Sequence, residues 1–331
     1  MLADRRGRRI SYLRISVTDR CNLRCRYCTS GVKRFIPHDD ILRYEELQGV
    51  IDSALALGVS KVRLTGGEPF VRLGFPDFVK GILERHPGVD LRITTNGTLV
   101  GPHLESLYQA GLRRLNISLD TLDRQRFADI TGRDSFPEVW AAIQQAMDLG
   151  FGVKINAVGM RGVNDEELPD FLELARTYPI DVRYIEFMPM GGCGRWGEDA
   201  VWSSEEILER AGSLVTLQEE PGSSPTRGPA RLFRIAGGKG RLGLISPLSG
   251  HICAACNRLR LTSDGRLRTC LFSDKEYRLR PILRHPRLGL RYAAEVVRRA
   301  TLDKPLGEEL LRARRAENDL VCSKGMLSIG G

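Results

Sequence analysis

Two sets of three cysteines carry the most chemistry in this sequence. Cys21, Cys25 and Cys28 are spaced C-x3-C-x2-C inside CNLRCRYC, and Cys253, Cys256 and Cys270 are spaced C-x2-C-x13-C more than two hundred residues later. A structural zinc ion takes four protein ligands, yet no fourth Cys or His stands beside the first set, His38 being ten residues beyond Cys28. A cubane iron–sulfur cluster held by three thiolates keeps its fourth iron free for a ligand that is not protein. The first spacing is neither of the ferredoxin runs in which every iron is filled. At the second set, His251 lies two residues before Cys253, so a Cys3His zinc site and a three-thiolate cluster are both open on spacing alone.

The remaining charge points to an anion. Lys and Arg number 50 against 41 Asp and Glu, a net charge of +9, but the basic residues are scattered and aromatic residues make up only 7% of the chain. No aromatic platform for stacking on bases stands out. A few well-placed arginines serve the phosphates of a small substrate equally well, because the planar guanidinium fork matches phosphate oxygens. The sequence has no G-x-x-x-x-G-K-[ST] phosphate loop, so phosphates would be held by side chains.

These residues need a frame, and the chain supplies a repeating one. YLRISVT (12–18) reads as a strand, and YEELQGVIDSALALG (44–58) as a helix with apolar residues at helical spacing and a glycine stop. KVRLTGG, DLRITTNG, RRLNISLD, VKINAVG and VRYIEFMPM continue as strands, each followed by a helical run, giving six strand–helix units. Repeated units of this kind predict a parallel sheet, curled as an incomplete (βα)6 TIM-like barrel. Chemistry in such folds collects at the C-terminal ends of the strands. Here those ends carry TDRCNLRCRYC, TGGEP (65–69), TTNG (94–97), SLD (118–120), Lys154 with Asn156, and EFMPM (186–190).

Beyond Gly212 the composition changes. EEPGSSPTRGPAR (219–231) is rich in Pro, Gly and Ser, and RLRLTSDGRLRTCLF reads as a hairpin turning at Asp264-Gly265. A smaller C-terminal α+β domain over 220–331, closing the barrel mouth of 1–219, is the expectation. The basic N-terminus lacks an apolar run behind it, and no stretch approaches the roughly eighteen apolar residues of a membrane span, so a cytoplasmic protein off the membrane is expected. A reducing compartment makes disulfides a poor use for the eight cysteines.

C-x3-C-x2-C with an aromatic residue before the last cysteine, then GGEP after the second strand, resembles the radical S-adenosylmethionine enzymes. SVTDRCNLRCRYC, VRLTGGEPFVR, TTNG, NISLD, CNRLRLTSDGRLRTCLF and the terminal GG together resemble the GTP 3′,8-cyclase family of molybdenum cofactor biosynthesis, from about Tyr12 to Gly331. That resemblance implies two [4Fe–4S] clusters, one at each triplet. The open iron of the first binds S-adenosylmethionine, from which a 5′-deoxyadenosyl radical arises, and the open iron of the second contacts guanine. It further implies Tyr27, Gly67, Ser118 and Met188 around S-adenosylmethionine. Around GTP it implies Arg14, Arg63, Thr94, Lys154, Arg258, Leu259 and Arg260, with Arg258 and Arg260 alternating onto one face of their strand.

The implied reaction abstracts hydrogen from ribose C3′ of GTP and joins C3′ to C8, giving (8S)-3′,8-cyclo-7,8-dihydroguanosine 5′-triphosphate. The implied partners are an external electron donor and the cyclic pyranopterin monophosphate synthase downstream. Nucleic acid and membrane are not expected, and monomer and homodimer both stay open. Gly330 and Gly331 are expected to enter the barrel mouth, and Cys193 and Cys322 to be free thiols. Where the family carries Met-Pro-Ala-Glu after the third cysteine, this chain reads TSGVKRF, which implies a differently shaped loop. Two alternatives remain: another two-cluster radical enzyme such as a peptide maturase, which usually carries more C-terminal cysteines, and a zinc-bearing nucleic-acid-binding protein, favoured by the charge and by His251.

Overall fold

The computed structural model describes residues 1–28, 35–188, 198–221, 228–250, 253–316 and 322. Gly330, Gly331, His251, Cys193 and most of the TSGVKRF loop, all singled out above, lie outside the described residues.

Six parallel strands form the centre: β1 (Tyr12–Ser16), β2 (Lys61–Thr65), β3 (Asp90–Thr95), β4 (Arg114–Ser118), β5 (Gly152–Gly159) and β6 (Asp181–Glu186). They pair in chain order. Six more strands follow: β7 (Leu217–Glu219), β8 (Arg231–Ile235), β9 (Arg241–Ile245), β10 (Arg258–Leu261), β11 (Arg266–Arg268) and β12 (Tyr277–Arg278). The order is β12-β11-β10-β1-β2-β3-β4-β5-β6-β9-β8-β7. β10 runs parallel to β1 and β9 parallel to β6. The chain beyond residue 220 thus occupies both flanks of the six-stranded array, and eight adjacent strands are parallel. One cavity is lined from β1, β2, β3, β4, β5, β6, β9 and β10, so the array curls into a partial barrel.

Helices cover the outside: α1 (Tyr44–Ala56), α2 (Phe75–Arg85), α3 (Leu104–Gln109), α4 (Arg124–Thr131), α5 (Phe136–Asp148), α6 (Leu168–Thr177) and α7 (Ser204–Leu214), then α8 (Arg280–Leu283), α9 (Gly289–Leu302) and α10 (Gly307–Ala316). In α5 the buried residues Val139, Ala142, Ile143 and Ala146 recur at helical spacing and meet the strands. Burying Ile143 alone is worth about 1.5–3 kcal/mol, and Ile143→Ala would cost about 2–5 kcal/mol. α7 starts where sequence chemistry dictates, with the Ser203 hydroxyl accepting from Glu206 N and the Glu206 carboxylate accepting from Ser203 N. α4 is absent from the sequence reading; its start is marked by Asp123, whose carboxylate caps Arg126 N at 2.6 Å. The expected hairpin is present as β10 and β11, antiparallel, with Gly265 at φ +79° in the turn. Among the described residues no helix is long and apolar enough to cross a membrane.

Candidate functional site

A cavity of about 340 Å³ opens inside the curl, and both cysteine triplets line it. The first triplet sits on the loop after β1, which is pinned through its backbone. Arg24 N and Arg26 N donate to Thr131 O and Ile130 O at the end of α4, at 2.7 and 2.9 Å, and Glu68 N donates to Arg20 O at 2.8 Å. Gly67 lets the β2 turn touch this loop, since a Cβ built there would lie 2.3 Å from Arg20 O. Behind the turn, the buried Glu68 carboxylate accepts from Phe70 N, Asn96 N and Thr95 Oγ1 at 2.6–3.1 Å, tying the β2 end to the β3 end. Burial pushes that carboxyl up to about 7.

Burial likewise pushes the Cys25 thiol well up, and Cys28, Asp120 and Cys21 add to the effect. Three thiols this close ionise together only beside a strong cation, which is the chemistry of a bound iron–sulfur group. At the second triplet, burial would raise the Cys256 thiol, but Arg258 and Lys304 outweigh it and bring it down to about 6. Among the described residues no three His, Cys, Asp or Glu side chains gather as ligands of one metal ion. Each set offers three thiol sulfurs, the soft donors that iron–sulfur clusters take.

The cavity wall that carries the triplets is also strongly cationic. Arg14 on β1 is in register with Arg260 on β10 and Arg63 on β2, and Arg63 with Arg92 on β3, so four arginines form a row across four strands. All four line the cavity, together with Lys61, Arg183, Arg258 and Lys304. Burial lowers the Arg260 guanidinium to about 10, with Arg258 adding to it. Arg63 donates to the Tyr12 hydroxyl and, at 2.8 Å, to Thr94 Oγ1, which orients both on the cavity. Among the described residues the buried atoms Asn116 Oδ1, Asn156 Oδ1 and Arg183 Nε have no hydrogen-bond partner, and their residues line the same space. Unsatisfied buried polar atoms beside a cavity leave hydrogen-bonding capacity open to a ligand or ordered water.

Tyr27, Gly67, Ser118 and Met188 line the same cavity. The Tyr27 hydroxyl donates to Asp120 Oδ2 at 2.7 Å, and Val158 N donates to Asp120 Oδ1 at 2.8 Å. Lys154 is placed differently from the other expected residues: it pairs with Asp181, which also receives Arg241 at 2.7 Å and Arg183 at 3.2 Å. Burial would raise Asp181, but Arg241, Lys154 and Arg183 hold it at about 2. Leu259, between Arg258 and Arg260, turns into the apolar core and is 1% exposed. Sequence reasoning missed Lys61, Arg92, Arg183 and Lys304, and quoted Asp120 only within SLD without a role; DLRIT, with an arginine between apolar neighbours like YLRIS and KVRLT, was the available sign for Arg92.

A parallel, partly closed βα array with three thiols after its first strand defines the radical S-adenosylmethionine class. The family model of the Radical SAM superfamily matches residues 15–175, and that of Molybdenum Cofactor Synthesis C matches residues 180–309. Streptococcus suis SuiB, solved bound to S-adenosylmethionine, shares the fold at a TM-score of 0.60 over 91% of this chain and 73% of that one, with 14% identity. GTP 3′,8-cyclase of Alkaliphilus oremlandii is 41% identical over 100% of both chains. That of Moorella thermoacetica is 43% identical over 98% of both, and that of Desulforamulus reducens 42% identical over 92% of this chain and 94% of its own. The chain belongs to the GTP 3′,8-cyclase family of the radical S-adenosylmethionine superfamily. The superfamily works with a [4Fe–4S] cluster and S-adenosylmethionine.

Proposed function

We propose that the protein is a GTP 3′,8-cyclase, converting GTP to (8S)-3′,8-cyclo-7,8-dihydroguanosine 5′-triphosphate in the first step of molybdenum cofactor biosynthesis. The observation that carries this reading is the sharing of one cavity by two thiol triplets and an arginine row. When bound, the first cluster and S-adenosylmethionine supply a 5′-deoxyadenosyl radical able to take hydrogen from ribose C3′.

In this reading Cys21, Cys25 and Cys28 hold the first cluster, and Cys253, Cys256 and Cys270 hold a second [4Fe–4S] cluster. Tyr27, Gly67, Ser118 and Met188 surround S-adenosylmethionine, with Asp120 fixing the Tyr27 ring. Arg14, Arg63, Arg258 and Arg260 bind the triphosphate, whose charge offsets their mutual repulsion, and Thr94 is aimed by Arg63. Lys154 would reach a phosphate by exchanging Asp181 for it, and Leu259 would contribute backbone only. The guanine lies toward the second triplet, so that C3′ and C8 are held between the two cluster sites. Residues 1–219 supply the six central strands of the barrel, and 220–331 supply strands on its two flanks and the second triplet. Gly330 and Gly331 present backbone groups to the bound nucleotide. The protein works in the cytoplasm, takes its electron from an external donor and passes its product to the cyclic pyranopterin monophosphate synthase.

The test is anaerobic incubation of the reconstituted protein with S-adenosylmethionine, a reductant and GTP deuterated at C3′. The expected result is deuterium in the 5′-deoxyadenosine and a cyclised triphosphate. Cleavage of S-adenosylmethionine without deuterium transfer from GTP would reject GTP as the substrate.

A further inference from the structure

The second triplet is braced from the far end of the chain. Residues 2–10 fold back on themselves: Ala3 and Arg9 form an antiparallel bridge, and Leu2 and Ile10 are buried. Asp4 in this turn accepts from Arg8 N at 2.8 Å and Arg6 N at 3.0 Å, and its carboxylate pairs with the Arg8 guanidinium. Both side chains are buried. The guanidinium so fixed turns both Nη groups to backbone. Nη1 donates to Cys253 O at 2.9 Å, and Nη2 to Lys304 O at 2.6 Å and Pro305 O at 3.2 Å. One planar fork therefore clamps the loop of the first ligand of the triplet to the turn between α9 and α10.

Lys304 completes the clamp from that turn. Its buried ammonium donates to Arg258 O at 2.8 Å and to Thr269 O, carbonyls two residues after Cys256 and one before Cys270. Burying an ammonium is costly unless an anion lies near. Burial works against this charge, as do Arg8 and Arg258, while Cys256 and Cys270 as thiolates favour it. The same turn presses onto the sulfurs: a Cβ on Gly307 would lie 3.1 Å from Cys253 Sγ and 3.2 Å from Cys270 Sγ. The backbone N–H groups of Glu308 and Gly307, at the start of α10, donate to the Cys253 thiol.

We propose that Arg8 and Lys304 are positioning residues for the second thiolate triplet: Arg8, aimed by Asp4, holds the Cys253 loop on the Lys304–Pro305 turn, and Lys304 fixes the Cys256 and Cys270 segments and balances the thiolates' charge. The inference rests on the second triplet being a cluster site. It assigns the extreme N-terminus a part in the chemistry of the C-terminal segment, through contacts that span up to 297 positions of sequence.

The experiment compares full-length wild type with Arg8→Lys, Lys304→Met and Lys304→Arg after anaerobic reconstitution. Iron and sulfide per chain, the reduced-state electron paramagnetic resonance spectrum and the rate of iron removal by a chelator are read out. Cleavage of S-adenosylmethionine reports the first site independently. Arg8→Lys keeps the charge and loses the fork; Lys304→Met loses the charge and keeps the length. Both should lose second-site iron about tenfold faster or more than wild type, the usual scale for disturbing groups just outside the ligands. First-site iron should be retained, and Lys304→Arg should recover part of the loss. Equal loss at both sites, or wild-type rates in both variants, overturns the proposal. If Arg8→Lys does not fold, Asp4→Asn, which weakens the aim of Arg8 without removing it, is held to the same comparison. Wild type that takes up iron at the first triplet alone would sink the underlying reading of the second triplet, a result distinct from failure of the brace.

Discussion

Arg14 on β1 stands directly across from Arg260 on β10 and, on its other side, from Arg63 on β2. Like charges opposite one another on neighbouring strands are destabilising. Burial and the neighbouring Arg260 hold the Arg14 guanidinium well below its ordinary range. Arg92, at the far end of the row, is paired with Asp90 at 2.7 Å, so the repulsion that a polyanion relieves falls on Arg260, Arg14 and Arg63.

A nucleotide should therefore stabilise the protein strongly, and loss of one arginine should separate binding from folding. Arg14→Met is expected to weaken GTP binding about ten- to hundredfold, the scale of one charged contact at roughly 1.5–3 kcal/mol. Without nucleotide, the repulsion from Arg260 and Arg63 that disappears with Arg14 should offset the contacts Arg14 itself makes, so the variant should stay close to wild type in stability. Urea unfolding with and without GTP measures both quantities. A variant destabilised by several kcal/mol without nucleotide would show that the row is held by attraction instead.

The two triplets share no ligand and lie on different segments, one after β1 and one before β10 and after β11. Replacing Cys253, Cys256 and Cys270 together by Ala should leave about half the iron and leave S-adenosylmethionine cleavage working, while cyclised product is lost. Iron analysis and product chromatography check this. Zinc bound tightly at the second triplet of wild type, in place of iron, would contradict the two-cluster reading.

Why some of this was readable in the sequence and some was not follows from distance along the chain. The βα units are local: the periodic faces of α1 and α5 and the strands beside them are set within about fifteen residues, and they were legible. The cysteine triplets and the Asp264-Gly265 turn are local too. The arginine row is not, because YLRIS, KVRLT, DLRIT and RLRL each look like an ordinary strand with one charge. Only the register between strands aligns them, and register is set by the buried pattern of all the strands together with the segments that connect them. Arg92 was missed for that reason. The seating of β9 and β10 on opposite flanks, and of Arg8 beside Lys304, has no local signal at all.

Asp120 gives the site a pH dependence with a definite sign. Burial raises its carboxyl from 3.8 to about 6, and the hydrogen bonds from Val158 N and the Tyr27 hydroxyl offset only part of that. The folded state binds more protons than the unfolded one between those values. Its contribution is therefore full below about pH 4 and is lost as pH rises through about 6, roughly 3 kcal/mol in all. Asp120→Asn keeps the shape and removes the titration. Iron-free wild type should lose stability relative to Asp120→Asn across that window, as read by urea unfolding at a series of pH values. Parallel curves for the two proteins would mean that Asp120 stays ionised when folded.

Gly67 and Gly81 make a matched pair for testing the loop that carries the first triplet. A Cβ on Gly67 would lie 2.3 Å from Arg20 O and 3.0 Å from Cys21 Cβ, so the cysteine loop itself must move to admit it. Neither contact is a flexible side-chain tip that could swing aside. At Gly81, within α2, an added Cβ would have nothing within 4 Å, and alanine there only removes freedom from the unfolded chain. Gly81→Ala should therefore raise stability by about 0.5–1 kcal/mol with both cluster sites intact. Gly67→Ala should lose iron from the first site and stop S-adenosylmethionine cleavage, while iron at the second site remains. Spectra of the reconstituted variants, with thermal unfolding of each, separate the two effects. Retention of first-site iron and cleavage in Gly67→Ala would show that the loop has another resting place, and that its close packing on the β2 turn is not what shapes the site.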